Sequence, residues 1–340
     1  MNAIDPEEIR ELGVRAPNWL GDSVMALPLL RALRGGVPHG RITLVGPWAE
    51  IFRHQGVADQ VIACPRSFRR RIALTRVLRP LGADTALLLP NSFESALAAW
   101  SWGTRRRVGF ATDGRSWLLT HPVPPPAPRR HQVDEYLRLL EVFNLRSQEP
   151  VPRWALTPGP EDAAARELLS EAGIPDGTPL AGCHLGAAFG PSKLWPVERW
   201  ASLAGQLARR GVTPVLLGSP GELPVALEVE RRCASPVASL VGRDTPALLP
   251  SLLSRLTLLI SGDTGVAQLA AAIGVTVIAL FGPTDPRLTA PRGRRVLTIA
   301  KFPPCAPCFL TVCPIDHPCM RQIGVEEVVA ACLALCGANG

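Results

Sequence analysis

Two carboxylates in this 340-residue chain stand where a strand gives way to a helix. In Asn18-Trp-Leu-Gly-Asp-Ser-Val-Met-Ala26, Asp22 follows a glycine, between a strand predicted over Arg10–Arg15 and a helix over about Ser23–Arg34. In Leu258-Leu-Ile-Ser-Gly-Asp-Thr-Gly-Val266, Asp263 occupies the same kind of junction. Such turns lie at the carboxyl edge of a parallel sheet, where α/β enzymes place their ligands. An ionised aspartate there can take a proton from a hydroxyl as a general base. It can equally be an ordinary helix cap. For Asp263-Thr264-Gly265 the two uses are compatible, because one residue can cap while the helix N-terminus behind it meets a diphosphate.

Three further constellations carry candidate chemistry. Gly186-Ala-Ala-Phe-Gly-Pro-Ser-Lys193 is a glycine-containing loop between a predicted strand and helix, with Lys193 as its cation. Backbone N–H groups in such a loop can approach a phosphate. The spacing is neither Gly-x4-Gly-Lys-Ser/Thr nor Gly-x-Gly-x-x-Gly, and a surface lysine is the plainer alternative. Leu217-Gly-Ser-Pro-Gly-Glu222 puts a carboxylate at another strand end, suited to ribose hydroxyls or simply to a first helical turn. Cys305, Cys308, Cys313 and Cys319 have the compact spacing C-x2-C-x4-C-x5-C of a structural zinc knuckle, with His317 as a spare ligand. Reduced packing thiols are the alternative. The chain has no Ser-His-Asp order and no His-Glu-x-x-His.

The elements needed to position these groups follow from an alternating rhythm of apolar strand-like and helical runs. In the first half, strands are predicted over Ile42–Gly46, Gln60–Ala63, Thr85–Leu89 and Val108–Ala111, with helices over Ser92–Trp100 and Val133–Phe143. Pro122–Pro128 is expected to be extended and exposed. In the second half, strands are predicted over Leu180–Leu185, Thr213–Leu217, Ala238–Val241, Leu256–Ile260, Val275–Phe281 and Arg295–Thr298. Helices are predicted over Val197–Arg210, Leu223–Cys233, Pro246–Leu253, Val266–Ile273 and Val325–Cys336. The βαβ rhythm predicts parallel sheets covered on both faces. The expected division is a lobe over 1–146, a linker region over 147–178, a second lobe over 179–324 that includes the cysteine segment 305–319, and a C-terminal helix over 325–340.

Composition narrows the class. The chain is 47% apolar, ample for two cores. Of its net charge of +7, residues 1–150 hold +6 (20 Arg against 14 acids) and residues 151–340 hold +1. The arginine runs 69–71, 105–107 and 129–130 could face an anionic lipid, a sugar acid, a nucleic acid or solvent alone. A single Tyr and few aromatics argue against a nucleic-acid stacking surface, so no nucleic-acid partner is expected. The first residues contain no apolar signal core. The uncharged stretch Thr264–Thr284 is long enough for a bilayer, but it breaks at Ile273-Gly-Val-Thr276 and reads as a buried helix, a turn and a buried strand. Nine cysteines without a signal imply thiols or metal rather than disulfides.

Taken in order, Asn18-Trp-Leu-Gly-Asp-Ser, Leu89-Pro-Asn-Ser-Phe-Glu-Ser-Ala-Leu97, Phe189-Gly-Pro-Ser-Lys-Leu-Trp-Pro196, Ser261-Gly-Asp-Thr-Gly265 and Leu280-Phe-Gly-Pro-Thr-Asp-Pro286 resemble the bacterial ADP-heptose:lipopolysaccharide heptosyltransferases (glycosyltransferase family 9), type II in particular. The resemblance implies the α/β GT-B fold, two Rossmann-like doubly wound parallel-sheet lobes facing a central cleft. It implies inverting transfer of L-glycero-D-manno-heptose from ADP-heptose to an inner-core heptose of lipopolysaccharide, with no cofactor and no catalytic metal. Asp22 matches the family's presumed base, Lys193 the diphosphate lysine and Glu222 the ribose carboxylate. Asp263, Thr264 and Gly265 match the nucleotide-sugar loop, and Gly186, Ala187, Ala188, Ser192 and Gln268 join that donor site. Asn18, Gly21, Asn91 and Ser92 fall on the acceptor side. One departure stands out: Gln268 replaces a histidine common in the family, and an amide cannot become cationic. The resemblance further implies a cytoplasmic monomer that touches the inner membrane peripherally. Transfer to a protein or another glycan, and a nucleotide-sugar-binding module without turnover, are the alternatives. A nicotinamide oxidoreductase is disfavoured, because no Gly-x-Gly-x-x-Gly follows the first strand.

Overall fold

The computed structural model describes residues 3–65 and 79–337. The chain divides into two compact units, Met1–Pro152 and Arg153–Gly340. The run 69–71 lies outside the described residues.

Among the described residues the first unit is built on six strands: β1 (Glu11–Arg15), β2 (Arg41–Gly46), β3 (Gln60–Ala63), β4 (Thr85–Leu88), β5 (Arg106–Phe110) and β6 (His121–Val123). Their order is β3-β2-β1-β4-β5-β6, and every pair is parallel. The central strands β1 and β4 are short apolar runs, buried almost throughout, as a sheet covered on both faces requires. The second unit repeats the plan with β7 (Leu180–His184), β8 (Thr213–Leu217), β9 (Ala238–Ser239), β10 (Leu258–Gly262), β11 (Thr276–Phe281) and β12 (Val296–Ala300). Its order is β12-β11-β10-β7-β8-β9, again all parallel. Counted from its own first strand, each sheet has the doubly wound order 3-2-1-4-5-6. Its switch point lies between the first and fourth strands, β1/β4 in one unit and β7/β10 in the other. Ligands of such sheets bind beyond the strand ends at that point.

Packing follows the apolar faces of the covering helices. Helix Val197–Ala208 buries Trp200, Leu203, Ala204 and Leu207 against the second sheet. Trp195 meets Trp200 edge-on, with ring centroids 4.9 Å apart. Helix Gly265–Ile273 ends at Gly274 in a left-handed conformation, and β11 follows directly. The uncharged stretch is thus helix, turn and strand. Among the described residues no helix is long and apolar enough to cross a membrane.

Several expected elements differ. The helix after β1 is two helices, Leu20–Met25 and Leu27–Gly36, because Pro28 has no amide to continue the first ladder. Asp22 is therefore the third residue of a helix capped at Trp19, and is not itself the cap. The proline-rich stretch is only partly exposed: His121–Val123 forms the edge strand β6, where Pro122 costs no inner ladder bond, and Val123 is buried. The expected helix over Val133–Phe143 is an α-helix, Gln132–Arg138, continued by a 3-10 turn, Leu139–Phe143. Pro160–Glu171, within the predicted linker region, is a 12-residue helix of the second unit that buries Ala165, Leu168 and Leu169.

Candidate active site

The second unit gathers its candidate groups at the β7/β10 switch point. Lys193 lies in a short turn, Pro191–Lys193, after the loop from β7. Its Nζ donates to Asp263 Oδ2 at 2.6 Å and to the Asp263 carbonyl at 3.1 Å. Thr284 Oγ1 donates to the same Oδ2 at 2.8 Å. Both charged side chains are only 10% exposed, so the pair is held in a low-dielectric setting. The ammonium also lies 4.5 Å from the centre of the Phe189 ring, in cation–π range. Asp263 thus aims the one cation of this loop.

Immediately beyond, Thr264 caps helix Gly265–Ile273 through the Ala267 amide at 3.3 Å. Ser261 Oγ lies 2.8 Å from the Thr264 hydroxyl and 3.4 Å from His184 Nδ1. This polar chain ties the ends of β7 and β10 to the helix start. Burial lowers the His184 imidazole to about 4, so it is neutral near pH 7. The amides of Gly265 and Val266 belong to a first turn whose N–H groups have no helical acceptor. A cation beside a helix N-terminus is an arrangement that suits a diphosphate.

Glu222 reaches over the end of β7. A Cβ on Gly186 would come within 2.7 Å of the Glu222 carboxyl carbon, so glycine is what allows this approach. Ser219 Oγ donates to Glu222 Oε2 at 2.5 Å. Asp244, which the sequence reading did not single out, joins this carboxylate. Burial first, and the Glu222 charge second, push it up to about 7. Its Oδ1 is buried with no hydrogen-bond partner. The signal was present but faint: Gly242-Arg-Asp244 follows short β9 as Gly-containing turns follow β1 and β10.

Other predicted donor-site residues are committed to the scaffold. The Ser192 amide and hydroxyl donate to the Thr311 and Leu310 carbonyls at 3.1 and 2.6 Å. Gln268 Nε2 donates to the Thr289 carbonyl at 2.6 Å, and the side chain is buried. Gly186 is buried, Ala187 half-buried and Ala188 exposed in the loop itself. The cysteine segment packs on this site. The Cys308 and Phe309 amides donate to the Pro283 carbonyl at 3.0 and 2.8 Å. Cys305 is exposed, Cys308 and Cys313 are half-buried and Cys319 is buried. His317 donates its amide to Cys313 Sγ at 3.2 Å and buries an unpartnered Nε2. Among the described residues no three His, Cys, Asp or Glu side chains are gathered as a metal-holding group.

In the first unit, Asp22 lies half-buried beyond β1. The only Tyr of the chain, Tyr136, is buried near it. Burial, then the charge of Asp22, then that of Glu135 hold the phenol well above its ordinary range. Asn18 and Ser92 line one recess with Arg15, Glu94 and Trp102. Arg15 Nη2 donates to Asn18 Oδ1 at 2.6 Å. Gly21 is half-buried beside Asp22, and Asn91 is exposed with its carbonyl accepting from Thr112 at 3.0 Å. Ser92 caps helix Phe93–Ser101. Arg115, fully buried, donates to the carbonyls of Pro90 at 2.5 Å, Ser92 at 3.1 Å and Phe110 at 3.0 Å, fixing the turn that presents Asn91 and Ser92. Tyr136, Arg15 and Arg115 were not legible as site groups, because only the tertiary fold brings them to these loops.

Known proteins share this architecture. The profile of glycosyltransferase family 9 (heptosyltransferase) matches residues 71–318. Lipopolysaccharide heptosyltransferase 2 of Salmonella typhimurium is 28% identical over 305 residues, covering 84% of this chain and 86% of that protein. The crystal structure of a family 9 glycosyl transferase from Veillonella parvula superposes with a TM-score of 0.86 at 22% identity, covering 99% of this chain and all of that one. E. coli ADP-heptose LPS heptosyltransferase II superposes at 0.81 with 24% identity, covering 97% and 99%. The fold is therefore that of the heptosyltransferases, the GT-B class of paired Rossmann-like units. With its family profile spanning most of its length, the chain belongs to glycosyltransferase family 9, the heptosyltransferases.

Proposed function

We propose that this enzyme transfers L-glycero-D-manno-heptose from ADP-heptose to an inner-core heptose of lipopolysaccharide, with inversion and without a catalytic metal. The observation that carries the reading is the Lys193–Asp263 pair at the N-terminus of helix Gly265–Ile273, on the switch point of a family 9 sheet. The ammonium and the helix amides neutralise charge as the diphosphate leaves, the work a divalent ion does elsewhere. Glu222 takes the ribose hydroxyls. Asp22 accepts the proton of the acceptor hydroxyl as it attacks the anomeric carbon. One base suffices for inversion, since no enzyme-bound sugar forms. Asn18, Gly21, Asn91 and Ser92 hold the acceptor. Ser192 ties the donor loop to the Leu310–Thr311 segment, and Gln268 ties helix Gly265–Ile273 to Thr289. A zinc on Cys305, Cys308, Cys313 and Cys319 belongs to this reading as a brace only, and metal analysis of the purified protein decides it.

The test is turnover of ADP-heptose on a heptose-bearing core acceptor, with the anomeric configuration of the product read by NMR. Asp22→Asn is expected to keep ADP binding and to lower kcat by about 10²–10⁴-fold. Near-normal kcat removes Asp22 as the base, and a retained anomeric configuration removes the single-displacement mechanism.

A further inference from the structure

We infer that the hydroxyl of Tyr136 binds the acceptor sugar, donating a hydrogen bond to a hydroxyl next to the one that Asp22 deprotonates. The inference rests on the acceptor role proposed for Asp22. Helix Gln132–Arg138, which carries Tyr136, packs against helix Leu20–Met25, which carries Asp22, and against Leu27–Gly36. The side chain is 4% exposed.

Packing alone does not call for a phenol here. Phe143, in the 3-10 turn that continues the same helix, is fully buried and fills its place without a hydroxyl. A buried hydroxyl nearly always has a partner, because leaving it unpaired costs stability. Among the described residues nothing bonds to the Tyr136 hydroxyl. Nor is its oxygen one of the sealed, unpartnered atoms found among those residues, which belong to Arg115, Asp244, Thr289 and His317. The little of Tyr136 that is exposed therefore includes this oxygen, and an incoming group can reach it.

The charged groups around the ring fix what the hydroxyl can do. Burial first, then the charge of Asp22, then that of Glu135, with Arg129 opposing, hold the phenol well above its ordinary range. It keeps its proton near pH 7, so it donates and does not act as a base. Glu135 is its neighbour in sequence, but that carboxylate is already engaged. Arg129 Nε and Nη2 each donate to it at 3.3 Å, and the Arg130 amide donates at 3.1 Å. A sugar ring carries hydroxyls on adjacent carbons. A carboxylate takes the proton of one while a neutral phenol donates to the next, and the pair selects which oxygen is aimed at the base. The contact is made before and during transfer, so its loss raises KM and leaves kcat nearly unchanged.

Tyr136→Phe keeps the ring and removes only the hydroxyl. With a heptose-bearing core acceptor, the variant is expected to show an acceptor KM about three- to tenfold higher, the net worth of one neutral hydrogen bond. Its donor KM is expected to stay within about twofold, and its melting temperature to be unchanged or raised. A phenol that only braces the helix gives the reverse, a lower melting temperature with an unchanged acceptor KM. Because the chain has a single tyrosine, a 13C label at Cζ gives one NMR signal, which reads the contact without turnover. The acceptor alone is expected to move that signal. An unchanged acceptor KM, or a signal that the acceptor leaves in place while turnover proceeds, overturns this inference and leaves the proposed transfer standing. A wild type that neither turns over nor answers the acceptor in this signal removes both. A signal that moves without turnover keeps the contact and removes the transfer.

Discussion

Asp263 is a half-buried acid serving a cation, and Asp244 is a half-buried acid without one. Asp263 gives one oxygen to Lys193 and Thr284. Asp244 instead meets burial and the charge of Glu222, and is raised to about 7. A carboxyl raised in the folded state binds a proton that the unfolded chain, at about 3.9, has already released. Its contribution to stability is complete below the unfolded value and is lost as pH rises through about 7. Asp244→Asn has no charge to develop there. The variant is expected to melt higher than the wild type at about pH 8, with the difference shrinking toward about pH 5. Thermal melts at the two pH values check this, and a pH-independent difference would remove the Glu222–Asp244 coupling. The strand-end positions of Asp22, Lys193, Glu222 and Asp263 were legible from local pattern, whereas their proposed roles rest on the family resemblance. Asp244 was not legible, since its chemistry comes from a carboxylate 22 residues earlier in the chain, placed there by the crossing from β8 to β9.

At the scale of elements, the donor loop is held by contacts remote in sequence. Gly190 has φ 148°, and a Cβ there would lie 2.5 Å from the Thr311 carbonyl. Two residues on, Ser192 bonds that carbonyl and its neighbour, and Lys193 follows. Gly190→Ala must therefore push the cysteine segment or the lysine turn away. Each Ser192 bond contributes ~1 kcal/mol, so a shift that breaks both should weaken ADP binding by tenfold or more. Calorimetric titration with ADP measures this. Unchanged affinity would show that the segment does not position Lys193. The cysteine spacing suggested a metal knuckle; the segment's bonds to Ser192 and Pro283 run through its own main-chain groups, which no side-chain pattern announces. The strands were readable to within a few residues because each is a short apolar run between turn signals. The break at Ala26 and strand β6 were harder. In both, proline sits inside an element: Pro28 starts a second helix, and Pro122 is tolerated at a sheet edge.

Across the whole chain, two sheets of identical strand order differ in charge. Residues 1–150 hold +6 and residues 151–340 hold +1. The strand order explains why each unit has its own switch-point site; the charge distinguishes what each site meets. In the second unit the key cation is buried and ion-paired, so under the proposed donor role its interaction with a diphosphate would be short-ranged and weakly screened. In the first unit the excess charge is spread over many arginines, and under the proposed acceptor role its reach toward an anionic core lipid would be a long-range effect. Raising ionic strength from about 50 to about 300 mM shortens the screening length from roughly 14 to roughly 6 Å. The KM for a phosphorylated core acceptor is then expected to rise about threefold or more, while the KM for ADP-heptose changes less than about twofold. Steady-state kinetics with each substrate varied in turn separate the two. If both constants move together, or only the donor constant moves, the arginine excess of the first unit is not what gathers the acceptor.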